Sequence, residues 1–258
     1  MRRFRYLMLL MLPLVAGCHT GTLPNPNDPN VVGGLSPDNI QDQMSCISDM
    51  LQIRLARQQI NDTEYNDLLE KAADSLLVNF NSDRVEPSKA WQTSKVMITA
   101  KHWADAKPVL EAAVEWAKIN HNRDREINDT LRLARVEAEM GDVPQAIKTA
   151  RTVFVLKPWE GAPILYATQL EIVPACRGKG HDVEVAKLLE DAIAIDLNVQ
   201  VDATKTEGRD FLRYRPMHVA DAWAGVVELY EDAKRPDLAE AARKKSTITP
   251  VQRGEVRA

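Results

Sequence analysis

The side chains with the widest chemical reach are few and scattered. Five histidines (His19, His102, His121, His181, His218) show neither His-x-x-x-His nor His-Glu-x-x-His spacing, and three cysteines (Cys18, Cys46, Cys176) form no ligand pair. No metal site is therefore expected. Gly-x-Ser-x-Gly, Walker-type and dinucleotide-binding patterns are missing too, so no residue is assigned as catalytic and no cofactor is expected. Cys46 and Cys176 lie in apolar helical context, where a small buried thiol is the simplest reading. Export to an oxidising compartment would allow a disulfide between them.

The most unusual local stretch is Arg177-Gly178-Lys179-Gly180-His181-Asp182. Three basic groups on a glycine-rich turn lead into a helix start, where free N–H groups and the helix dipole favour an anion. Arg177, Lys179 and His181 are thus candidate ligands for a carboxylate or phosphate. The alternative is a plain inter-helix turn, with glycines supplying positive φ and Asp182 acting as N-cap. Arg209, Arg213, Arg215 and His218 form a second basic cluster near the connection Leu197 to Leu212, which is read as the least regular part of the chain and as a possible interaction loop.

The amino terminus carries a different chemistry. Met1-Arg2-Arg3-Phe4-Arg5 is basic, and Tyr6 to Ala16 is apolar but too short for the roughly 20 residues that cross a bilayer. The run ends Leu14-Val15-Ala16-Gly17-Cys18, which resembles the bacterial lipobox. That resemblance implies a signal peptide over 1–17, lipidation of the Cys18 thiol and a stable membrane anchor, since two or more acyl chains hold a protein where one does not. His19, rather than Asp, follows the cysteine; in the enteric pattern this implies the outer membrane of a Gram-negative envelope. Residues 18–36, with Pro24, Pro26, Pro29, Gly33 and Gly34, read as a tether of roughly 20–25 Å reach.

Composition narrows the function classes. The 258 residues are 45% hydrophobic and only 5% aromatic, which suits Ala-rich helix better than β-barrel. Net charge is −4, and loss of Arg2, Arg3 and Arg5 with the leader leaves 30 basic against 37 acidic residues. That is the wrong sign for a phosphate-backbone binder, so nucleic acid is not an expected partner.

From Pro37 onward apolar residues recur with a 3.6-residue period, and period-2 alternation is scarce. Ile40, Met44, Ile47, Met50/Leu51 and Leu55 mark one helix face, and Leu68, Leu69, Ala72, Leu76 and Phe80 mark a second. Further helices are expected to begin near Pro87, Asp105, Asp124, Asp142, Pro158, Asp182, Arg213 and Pro236, with Pro108 and Pro144 held in first turns. Asn61-Asp62-Thr63 and Asn128-Asp129-Thr130 are read as helix starts. Trp103, Trp116, Trp159 and Trp223 are read as fillers between helices.

Leu133-Ala134, Gly141-Asp142, Ala146, Ala150 and Pro158 have the spacing of the tetratricopeptide repeat, and this unit resembles that family. Ala106, Ala146 and Ala186 stand 40 apart rather than 34, and the family's aromatics are mostly missing. The resemblance implies an all-α fold, a right-handed α-solenoid of about five antiparallel hairpins over 37–249, with a tail at 250–258. In such an array the first helices line a concave face. On this register Trp91, Lys95, Asn128, Leu131, Arg135, Thr168, Glu171, Asp221 and Glu228 are the candidate partner-binding residues. The resulting expectation is a lipid-anchored scaffold or assembly factor of the bacterial cell envelope, whose partner is an envelope protein or peptide segment. The alternatives are capture of a small ligand such as a glycan or an anionic solute, and an envelope enzyme acting at the basic turn.

Overall fold

A computed structural model describes residues 37–78, 80–81, 85–156 and 163–248. The leader, Cys18, the tether, Pro158, Trp159 and the tail at 250–258 lie outside the described residues. Every regular element among the described residues is helical. They are α1 (Pro37–Ala56), α2 (Asp62–Leu77), α3 (Ala90–Thr99), α4 (Trp103–Ile119), α5 (Arg123–Glu139), α6 (Val143–Phe154), α7 (Ile164–Ala167), a π-helical turn (Thr168–Ile172), α8 (Val173–Cys176), α9 (Asp182–Leu197), α10 (Thr206–Asp232) and α11 (Pro236–Ile248). None is long and apolar enough to cross a membrane. The chain divides into two compact units, Met1–Lys101 and His102–Ala258.

In the first unit α1 packs against both α2 and α3. Asn61 caps α2 in a capping box: its side chain accepts from the Glu64 N–H, and the Glu64 carboxylate accepts from the Asn61 N–H, both at 2.9 Å. Ile40, Met44, Ala73, Val96 and Ala100 form the core, flanked by Leu69, Leu76, Leu77 and Phe80. Of the two alternatives Met50/Leu51, Leu51 is the buried one and Met50 is 53% exposed; one expected position differs, since Ala73 rather than Ala72 is the buried alanine of α2.

The second unit is a run of helices packed on their chain neighbours: α4 on α5, α5 on α6, α7 and α8 on α9, α9 on α10, and α10 on α11. α5 also touches the π turn and α8, and α6 touches α9. Packing between neighbours and next neighbours is the pattern of a helical repeat. Small residues permit it: Ala106, Ala134, Ala146, Ala150 and Ala186 are completely buried and Ala239 is 1% exposed. Gly141 turns the chain at φ 91°. Asp142 then accepts from the Gln145 N–H at 3.2 Å to open α6, with Pro144 in its first turn.

Four boundaries depart from expectation. Pro108 is the sixth residue of α4, because that helix already begins at Trp103. Asn128 lies inside α5, where its amide donates to the Asp124 carbonyl at 2.8 Å, and Asn122 is the true cap. α10 begins at Thr206, well before Arg213, so the expected irregular connection is helical over its second half and Pro216 sits mid-helix. The helix expected near Pro158 is described only from Ile164. Its π turn has a local cause: Pro174 cannot donate to the Leu170 carbonyl, and the preceding Val173 N–H reaches back five residues to Thr168.

Candidate functional site

The basic turn 177–182 follows the C-terminal end of α8 and ties it to the C-terminal parts of α5 and α10. Gly178 and Gly180 adopt φ of 73° and 84°, which residues with a Cβ rarely do. The Asp182 carboxylate folds back to accept from the Gly178 N–H at 2.8 Å. From this frame Arg177 donates through Nε to Asp232 at 2.7 Å and through a terminal nitrogen to Glu228 at 2.9 Å, both on α10. These acids hold the Arg177 guanidinium above its ordinary pKa. Lys179 reaches the other way and donates to the Ala138 carbonyl near the end of α5 at 2.6 Å, where the helix dipole also favours a cation. Two of the three candidate anion ligands thus already have protein acceptors. His181 is the N-cap residue of α9 and makes no side-chain cap bond.

Higher up the same helices, Arg135 of α5 meets Glu171 of the π turn at 3.5 Å and lies over the Trp103 ring at 5.9 Å. The structure therefore brings together Arg135 with Glu171, and Glu228 with Arg177. Asp221 is exposed on α10 and Asn128 is half-buried on α5. Two candidate contact residues are corrected: Leu131 is 2% exposed and Thr168 is fully buried, so both belong to the core and neither reaches a partner. In the first unit Trp91 and Lys95 stand one turn apart on α3, with the ammonium 4.5 Å from the ring centroid.

The surface of this region is apolar where sequence reasoning expected polar groups. In the helical run from Ile164 to Cys176 most side chains are buried, but Tyr166 is 57% exposed and Leu170 53%, with Pro174 exposed beyond them. They follow i, i+4, i+8 and so form one edge. Their spacing was readable, but their direction was not, because the π turn shifts the register of the residues after it.

Buried charge was also missed. Asp129 is fully buried on α5 between Arg125 at 2.5 Å and Arg132 at 2.8 Å. Burial outweighs both guanidinium groups and holds its carboxyl above the ordinary range. The i, i+4, i+7 spacing of these three charges was the available signal. Asp196 and Arg215 form a second such pair at 3.8 Å, with Arg215 donating to the Val199 carbonyl and stacking on Phe211. This accounts for one member of the second basic cluster. Cys176 is a free buried thiol pushed up to about 11 by burial, which makes it a poor nucleophile.

Comparison with protein-family models, with curated proteins and with solved structures found no match.

Proposed function

We propose that the chain is a lipid-anchored envelope protein whose helical-repeat domain, similar to a tetratricopeptide array, serves as an interaction scaffold. The observation that carries this reading is the exposed apolar edge Tyr166–Leu170–Pro174. It lies on a helix otherwise buried on its neighbours, beside the charged pair Arg135–Glu171. Apolar anchors rimmed by charged groups are what a protein partner uses, the anchors for affinity and the rim for selection. The lipobox-like Leu14–Cys18 segment supplies the anchor, and the tether keeps the domain near the membrane.

The test combines capture with fractionation. In-cell crosslinking followed by mass spectrometry is expected to recover one or two envelope proteins with the parent chain. Replacing Tyr166 and Leu170 together by Ser should abolish that recovery with no loss of helical circular dichroism. Cys18→Ser should move the protein out of the membrane fraction. Unchanged capture by the Tyr166/Leu170 variant would overturn the assignment of this edge, and membrane retention of the Cys18 variant would overturn the anchor.

A further inference from the structure

The two outermost helices in chain order differ in what they show to solvent. The exposed basic side chains toward the end of α11 are paired within the protein: Arg243 with Glu231 and Glu240, Lys244 with Glu240, and Lys245 with Glu190. A polar outer face is how a repeat array ends in water. On α1 the inward side is Ile40, Met44 and Leu51, all buried, while Met50 and Ile53 are 53% and 52% exposed on another side. Asp42, Cys46, Met50, Ile53 and Arg57 recur at helical intervals and form one continuous face. Asp42 and Arg57 are both exposed, and among the described residues neither makes an ion pair.

The charges at the two ends of this face differ in sign. Asp42 stands toward the amino-terminal end of α1 and Arg57 just past its last residue, Ala56, where the Arg57 N–H still donates to the Ile53 carbonyl at 3.1 Å, with Met50 midway between them. Such a helix is complementary to itself when reversed. Laid antiparallel about a two-fold axis at Met50, one copy's Asp42 comes level with the other copy's Arg57, within one residue's rise of about 1.5 Å. Met50 then meets its own counterpart, and Ile53 packs beside it. A parallel pairing would set like charges opposite each other. We propose that the Asp42–Arg57 face of α1 is a dimerisation surface, and that its occupant is a second copy of this chain in antiparallel register.

A face of five residues falls short of the roughly 20–30 residues a side of a stable complex, so the dimer is weak in dilute solution and is favoured where molecules are concentrated. A disulfide at the two-fold position traps it. The probe is the full chain with Cys18→Ser and Cys46→Ala, carrying Met50→Cys. In it the new cysteine is the reactive thiol, because Cys176 is buried. Under mild copper-phenanthroline oxidation Met50→Cys should form a covalent dimer at least ten-fold faster than Gln52→Cys, which places the thiol on an exposed position across the same helix. Asp42→Arg or Arg57→Asp alone should slow that crosslink several-fold, and the two together should restore it. Circular dichroism checks that each variant is folded. Equal rates for Met50→Cys and Gln52→Cys would overturn the proposal, as would a crosslinking rate indifferent to the charge exchange. A partner protein protecting Met50→Cys in place of a second copy would give the first of these results.

Discussion

Lys179 donates to the carbonyl of Ala138 across 41 residues of chain, at 2.6 Å. With Arg177 bound to Glu228 and Asp232 on the opposite side, the turn acts as a clasp between the ends of α5 and α10. Its glycines and basic groups read in sequence like an anion cradle because the same geometry serves both purposes.

A clasp and a cradle respond differently to substitution. Arg177→Ala and Lys179→Ala should each lower stability. The Arg177 effect should be below about 1 kcal/mol, since its pairs are largely exposed, and the Lys179 effect about 1 kcal/mol for a charged hydrogen bond to a helix end. Inorganic phosphate should not raise the melting temperature of the parent more than that of Arg177→Ala. A phosphate-dependent rise seen only in the parent would restore the anion site.

The helix pattern from Pro37 to Ile248 was largely legible because apolar residues repeat where helices bury a face. The units were harder to align because their turns are chemically unequal. Gln58, His121 and Lys234 adopt φ of 56°, 51° and 57°, doing with side chains what Gly141 does at 91°. A search for glycine at the helix end finds the α5–α6 turn and, at Gly178, the α8–α9 turn, and passes over these three. Exposure was less legible than helicity: Leu131 and Thr168 sit at spacings that suit a contact face, but α5 and the π turn are enclosed on several sides. His121→Gly and Lys234→Gly should each raise stability, by up to about 1 kcal/mol for relief of left-handed backbone strain, measurable as an increase in the urea midpoint.

Two glycines of α10 should respond with opposite signs. A methyl group at Gly208 would lie 2.8 Å from the Asp202 carbonyl carbon, a backbone atom that cannot turn aside. At Gly225 it would meet only the Leu189 Cδ2 at 3.4 Å. Ala is favoured over Gly inside a helix by up to about 1 kcal/mol, whereas forced overpacking costs about 1–3 kcal/mol. Gly225→Ala should therefore raise the melting temperature and Gly208→Ala should lower it. A rise for both would show that the 199–205 segment moves away from α10 at little cost.

Glu137 gives the clearest pH dependence. Its side chain is 4% exposed, its nearest cation is the Lys107 ammonium at 3.9 Å, and its Oε2 has no hydrogen-bond partner in the protein. Burial raises its carboxyl pKa, and this outweighs the opposing effects of the Thr149 hydroxyl and Lys107. In the unfolded chain the group titrates near its ordinary value of 4.5. Over the window from that value up to its folded pKa the native state binds more protons than the unfolded state, so the Glu137 contribution to stability falls as pH rises. Glu137→Gln keeps the size of the side chain and removes the charge. The variant should melt above the parent at pH 7, and the gap should close as the pH is brought down to about 4, where Glu137 is largely protonated in the unfolded chain as well. Thermal melts of the two proteins across that range make the comparison. A gap that stayed constant with pH would mean that the Glu137 proton is not linked to folding, and a lower melting temperature for the variant at pH 7 would mean that the Lys107 contact outweighs burial.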